Sequence, residues 1–193
     1  MSITSVKSGA TGISLALDNN FMEPIATTLV GSSGVNTVIF NDIPQTYKHL
    51  QLRAITQSNR ATYSRDEFVI RFNSDVGNNY SWHSIYGSGT SASAQQETNI
   101  NRILGQDCVG ANGWWGNAVI DILDYTNTNK NKTVRFLAGL DTNNAGASGF
   151  NGALVFTSGN WRNTDSINSI SIVPTQGSAW NQYSRFSLYG IKG

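Results

Sequence analysis

Val38-Ile-Phe-Asn-Asp-Ile-Pro-Gln-Thr-Tyr-Lys-His-Leu-Gln-Leu-Arg53 reads as a short strand, a turn marked by Pro44 and an alternating strand. In His49-Leu-Gln-Leu-Arg-Ala54 the apolar Leu50, Leu52 and Ala54 share one face, and His49, Gln51 and Arg53 the other. That is the period of a half-buried β-strand, since successive side chains point to opposite sides of a sheet. Immediately upstream, Glu23-Pro-Ile-Ala-Thr-Thr-Leu-Val-Gly-Ser32 holds a β-branched run that also reads as a strand.

The same period continues outward. Phe68, Ile70 and Phe72 alternate with Arg71 and Asn73, and Val134, Phe136 and Ala138 alternate with Arg135. Leu154 and Phe156, Ile170 and Ile172, and Phe186 and Leu188 complete the alternating series, and the expected core is Leu50, Leu52, Phe68, Ile70, Phe72, Ile120, Ile122, Phe136, Leu154, Ile170, Ile172, Phe186 and Leu188. Asn117-Ala-Val-Ile-Asp-Ile-Leu-Asp124 is apolar on both faces, which predicts a central strand. Turn clusters such as Ser74-Asp-Val-Gly-Asn-Asn79 and Asn143-Asn-Ala-Gly-Ala-Ser-Gly149 fall between the runs. Eight to ten strands are expected at roughly ten- to twenty-residue intervals, with no long helix. The predicted fold is all-β, an antiparallel β-sandwich of jelly-roll type, with a closed barrel as competitor. Residues 1–34 are expected to form an extended N-terminal arm, either a frayed end with a first strand or an anchor on a neighbour, and residues 35–193 the sandwich domain.

Composition narrows the function. Charged residues make up 13% and the net charge is +1, so the basic stripe that displaces counterions from nucleic acid is missing. No apolar run is long enough to cross a bilayer, and no membrane insertion is expected. The single Cys108 excludes an internal disulfide framework and a multi-cysteine zinc site. No nucleophile elbow, P-loop or paired metal-binding histidine motif is present. Asp121 and Asp124 lie at an odd offset, which in a regular strand sends them to opposite faces, as do the adjacent Asp66 and Glu67. The oxygen-rich run Asn73 to Asn79 departs from the EF-hand pattern and is read as Asx-turn chemistry. The expectation is a protein without catalytic residues, cofactor or metal.

Several stretches resemble a family of poorly characterised virion proteins of tailed bacteriophages, of the marine and cyanobacterial-host type. They are the two opening segments together with Phe72-Asn-Ser-Asp-Val-Gly-Asn-Asn-Tyr-Ser-Trp-His83, Ile120-Asp-Ile-Leu-Asp-Tyr-Thr-Asn-Thr-Asn-Lys130, Gly159-Asn-Trp-Arg-Asn163 and Ser184-Arg-Phe-Ser-Leu-Tyr-Gly-Ile-Lys192. The resemblance implies a virion location after assembly in the host cytoplasm. It also implies a homotrimer that meets other virion proteins through its N-terminal arm. The expected function is the head of a tail fibre or baseplate contacting the host surface. Alternatives are a capsid decoration protein and a small glycan depolymerase.

Aromatic residues beside amides supply the candidate binding site. Trp114 and Trp115 stand between Asn112 and Asn117, and Trp161 precedes Arg162 and Asn163. Flat rings stack on sugar faces while amides and a guanidinium bond hydroxyls, so these residues are expected to contact a host polysaccharide. The competing reading is that the tryptophans close the sandwich ends or fill subunit contacts.

Overall fold

The computed structural model describes residues 21–193; the first part of the expected arm, residues 1–20, lies outside the described residues. The strands are β1 (Met22–Leu29), β2 (Val38–Phe40), β3 (His49–Ser58), β4 (Arg65–Phe72), β5 (Tyr80–Gly87), β6 (Ala92–Ile100), β7 (Ile103–Ala111), β8 (Gly116–Leu123), β9 (Lys132–Asp141), β10 (Gly152–Trp161), β11 (Ile170–Pro174) and β12 (Arg185–Ile191). Among the described residues the helical content is one short 3-10 turn, Ala147–Gly149.

The strands form two layers. The larger runs β1-β12-β3-β8-β9-β10-β5-β6 and the smaller β2-β11-β4-β7. All pairings are antiparallel except a short parallel stretch where Gln57 and Ser58 of β3 meet Gly110 and Ala111 of β7, joining the layers at one corner. The chain crosses between layers repeatedly, as in a jelly roll, so the expected all-β antiparallel sandwich is what forms. β8 lies between β3 and β9, so it is a central strand as expected, but only its inward face is covered: Asn117 and Val119 on the other face are exposed. β1, the second half of the expected arm, pairs with β12 of the same chain from Met22↔Ile191 to Leu29↔Arg185.

The layers meet through ring and aliphatic contacts. Phe68 of β4 stacks on Phe136 of β9 at 5.6 Å between ring centres. Phe72 and Tyr80 both pack on Trp161, at 5.6 and 6.1 Å. Each fully buried side chain of this size contributes roughly 1.5–3 kcal/mol. Where Ile103 of β7 crosses β10, the spacing admits only a glycine: a Cβ on Gly159 would fall 2.6 Å from the Ile103 side chain.

The expected core residues are buried, with one exception. Leu154 is 65% exposed. β10 turns Ala153, Val155, Thr157, Gly159 and Trp161 inward, and Leu154 and Phe156 outward. The inward set is small because β7 lies close above it, so the bulkier residues of this strand mark its outer face.

Candidate functional site

Trp161 is fully buried, and its Nε1 donates to Asp75 Oδ2 at 2.7 Å. It therefore offers no ring to a ligand, which corrects its assignment to the site. A tryptophan ending a strand whose inward positions are otherwise small fills the volume that they leave. Arg162 is committed to the Asn78 carbonyl and to Asn99 Oδ1, and Asn163 Oδ1 accepts the Asp165 N–H in an Asx turn.

Asn112 and Gly113 are the central pair of a tight turn in which the Trp114 N–H donates to the Ala111 carbonyl. Both have positive φ, 51° and 91°, as an Asn-Gly turn of the primed type requires. Trp114 packs against the core, and Trp115 stays 38% exposed. The structure does not bring the two groups together. Trp114 and Trp115 precede β8 at one end of the larger sheet, while Trp161 closes β10 at the other. The separation is about the ten-residue length of β10, or roughly 30 Å. Asn117 belongs to neither cluster; it sits in β8 on the outer face of the larger sheet.

That outer face carries the residues that sequence reading missed. Register places Val119, Leu137, Phe156 and Ile85 in one row across β8, β9, β10 and β5. All four are exposed, from 36% at Val119 to 62% at Ile85. The next row is Asn117, Gly139, Leu154 and Gly87. A groove of about 750 Å³ opens over this second row, flanked by the β5–β6 turn and the β9–β10 loop. The available signal was the presence of apolar residues at both odd and even positions of β9 and β10.

The loop that flanks the groove is held in place. Thr142 Oγ1 donates to the Phe150 carbonyl at 2.7 Å, and the Ala147 N–H donates to Ser64 Oγ at 2.6 Å. Phe150 is buried, with the Arg65 guanidinium over its ring at 4.4 Å. On the opposite wall, the Ser88 N–H donates to the Ser91 carbonyl. The groove is therefore shaped before anything enters it.

Three of the described aspartates are engaged by the fold. Buried Asp66 accepts the N–H groups of Glu67, Gln176 and Gly177. Asp121 takes Gln51 and Arg135, and Asp124 is paired with Lys48 and Lys130. Glu67 and Asp107 lie close to Asp66. Burial, and then the Asp107 charge, push the Glu67 carboxyl above its ordinary range; burial does the same to Asp107, although Arg65 pairs with it at 2.7 Å. Burial, reinforced by the Asp107 and Glu67 charges, raises the Cys108 thiol well above its usual value, which keeps it protonated and a poor nucleophile. His49 Nδ1 accepts the Asp124 N–H. Among the described residues no group of three or more histidines, cysteines or carboxylates could hold a metal ion.

No family model matches the chain, and no curated protein matches it. Solved structures give remote likenesses. One is the marine PL-14 alginate lyase from Aplysia kurodai, 7% identical, over 86% of this chain and 80% of that one, with a TM-score of 0.34. Another is the binding domain of botulinum neurotoxin DC in complex with SialylT, 13% identical over 89% of this chain and 42% of that one, with a TM-score of 0.26. TM-scores this low carry nothing about chemistry to this chain.

Proposed function

We propose that this protein is a non-enzymatic structural component of a bacteriophage virion, the β-sandwich head of a tail fibre or baseplate that contacts the host surface. The supporting observation is the uncovered outer face of the larger sheet, where Val119, Leu137, Phe156 and Ile85 form one exposed apolar row. Contiguous apolar surface on a folded domain marks a place where something binds. The engagement of the carboxylates in ion pairs and backbone contacts favours binding over catalysis. The virion assignment rests on the resemblance of the quoted stretches to tailed-phage virion proteins, as do a homotrimeric assembly and contact with other virion proteins through residues 1–34. The competing reading is a capsid decoration protein, favoured by the same row because protein partners also bury aliphatic side chains.

Immunogold labelling of intact particles, combined with competition of purified protein against phage adsorption, tests this reading. Labelling at the tail and competition that falls roughly tenfold in Leu137→Asp are expected, because a charge placed in an apolar contact must be desolvated. Labelling confined to the capsid, with no competition, would transfer the function to decoration.

A further inference from the structure

We infer that the groove over Asn117, Gly139, Leu154 and Gly87 binds a single strand of uncharged polysaccharide, with Phe156 as the platform for one sugar ring. This rests on the reading of the protein as a host-contacting head and names what that head recognises. The floor comes from the backbone. Gly139 and Gly87 flank Leu154 in register, so the surface drops on both sides of one aliphatic side chain. The row spans four adjacent strands, roughly 14 Å from first to last.

The lining suits hydroxyl groups. Asn117, Asn143, Asn144 and Asn151 supply amides, each both donor and acceptor, and Ser88 and Thr90 supply hydroxyls. The one charged lining residue is Asp141, whose Oδ1 already accepts the Asn143 N–H at 2.6 Å. No lysine or arginine lines the groove, so a uronate or sulfate would find no counter-charge there. Backbone geometry accounts for asparagine at 143 and 144, where φ is 47° and 58°. It does not account for Asn151, or for Asn117 within a strand.

Phe156 extends the site. It follows Leu154 on the same face of β10 and is flanked in register by Leu137 and Ile85. Its ring is half exposed and has aliphatic neighbours on both sides, which suits the apolar face of a pyranose. A second copy of the chain fits less well. Two sheets stack face to face at about 10 Å, and the loop at 141–152 and the turn at 87–91 flank the groove where such a sheet would have to lie.

The test uses the full chain and immobilised dextran, mannan and galactan, with polygalacturonate as the anionic control, read by affinity electrophoresis. Retention by at least one neutral polymer and not by polygalacturonate is expected. Phe156→Ala should weaken retention roughly tenfold, the loss of one ring contact. Gly87→Leu should abolish it: a Cβ there meets nothing closer than 3.9 Å, so the fold is kept while the added side chain fills the floor. Unchanged melting temperatures in both variants show that the loss is local. No retention by any neutral polymer, or retention unaffected by Gly87→Leu, overturns the proposal. So does sedimentation showing a dimer that Gly87→Leu dissociates, or retention only by polygalacturonate. Tail labelling with adsorption competition but no polymer binding would leave the head reading standing and remove the groove from it. Polymer binding by a capsid-located protein would do the reverse.

Discussion

Replacing Asp75 by alanine tests whether Trp161 is a structural ring. The carboxylate accepts the Trp161 Nε1–H at 2.7 Å, the Asn79 amide at 2.8 Å and the Gly77 N–H at 2.7 Å. Alanine removes all three acceptor contacts and leaves a buried indole N–H without a partner. An unsatisfied buried donor costs about 1–3 kcal/mol, and each lost hydrogen bond adds about 1. The expected loss is about 3 kcal/mol. For a domain of this size each kcal/mol moves the melting temperature by roughly 2–4 °C, so a fall of roughly 6–12 °C is expected. Asp75→Asn keeps one acceptor oxygen and should lose less than half as much.

The pH dependence supplies a second reading of the same contact. Burial opposes the Asp75 charge, but the hydrogen bonds from Asn79, Trp161 and Gly77 outweigh it and hold the carboxyl below its ordinary value. A depressed folded-state pKa stabilises the fold above the unfolded value of 3.8, and that stability is lost as pH falls through the folded pKa. The gap between wild type and Asp75→Ala should therefore be full near neutral pH and narrow in strong acid. Urea unfolding followed by tryptophan fluorescence measures both. A loss under about 0.5 kcal/mol, or a gap independent of pH, refutes the assignment of Trp161 to a hydrogen-bonded core.

Gly159→Ala should cost about 1–3 kcal/mol by overpacking where β7 crosses β10, because its Cβ would fall 2.6 Å from Ile103 Cγ2, as read by thermal melts. Glu67→Gln should behave oppositely to Asp75→Ala. Its raised carboxyl, half-buried and beside Asp107, stabilises the fold while protonated and loses that contribution as pH rises above 4.5, so the variant should gain on wild type toward neutral pH and match it in acid.

The fold was legible because the layers impose period two on strands such as β3 and β4. Leu50, Leu52, Phe68, Ile70 and Phe72 had to share a face to be buried at all. The clusters Ser74 to Asn79 and Asn143 to Gly149 likewise announced turns, and both lie between strands. The site was less legible, because hydrophobicity ranks residues by size and chemistry and not by which way a strand faces. In β10 the larger Leu154 and Phe156 outrank Ala153, Val155 and Thr157, yet the crossing β7 leaves room only for the smaller set. Trp161 misled in the opposite sense. Its amide neighbours suggest a ligand loop, but the partner of its indole is Asp75, 86 positions away in the chain, and no local pattern reveals that.

The outer face of the larger sheet shows that its apolar row is not a demand of the fold. One row along, Gln51, Asp121 and Arg135 occupy β3, β8 and β9 in register and satisfy one another, with Gln51 Nε2 on Asp121 Oδ1 at 2.9 Å and Arg135 on Asp121 Oδ2 at 2.8 Å. The same strands therefore support a polar, solvated surface two residues away, at no loss to the core beneath. Folding draws on the inward face alone, through Ile120, Val134, Phe136 and Val155. Val119, Leu137, Phe156 and Ile85 contribute little to stability while exposed, and they carry the aggregation hazard of any uncovered apolar strip. On the proposed reading, a surface that could be polar and is not has its explanation in what it meets, and the groove beside the row, with its fixed walls and neutral amides, gives that encounter a shape.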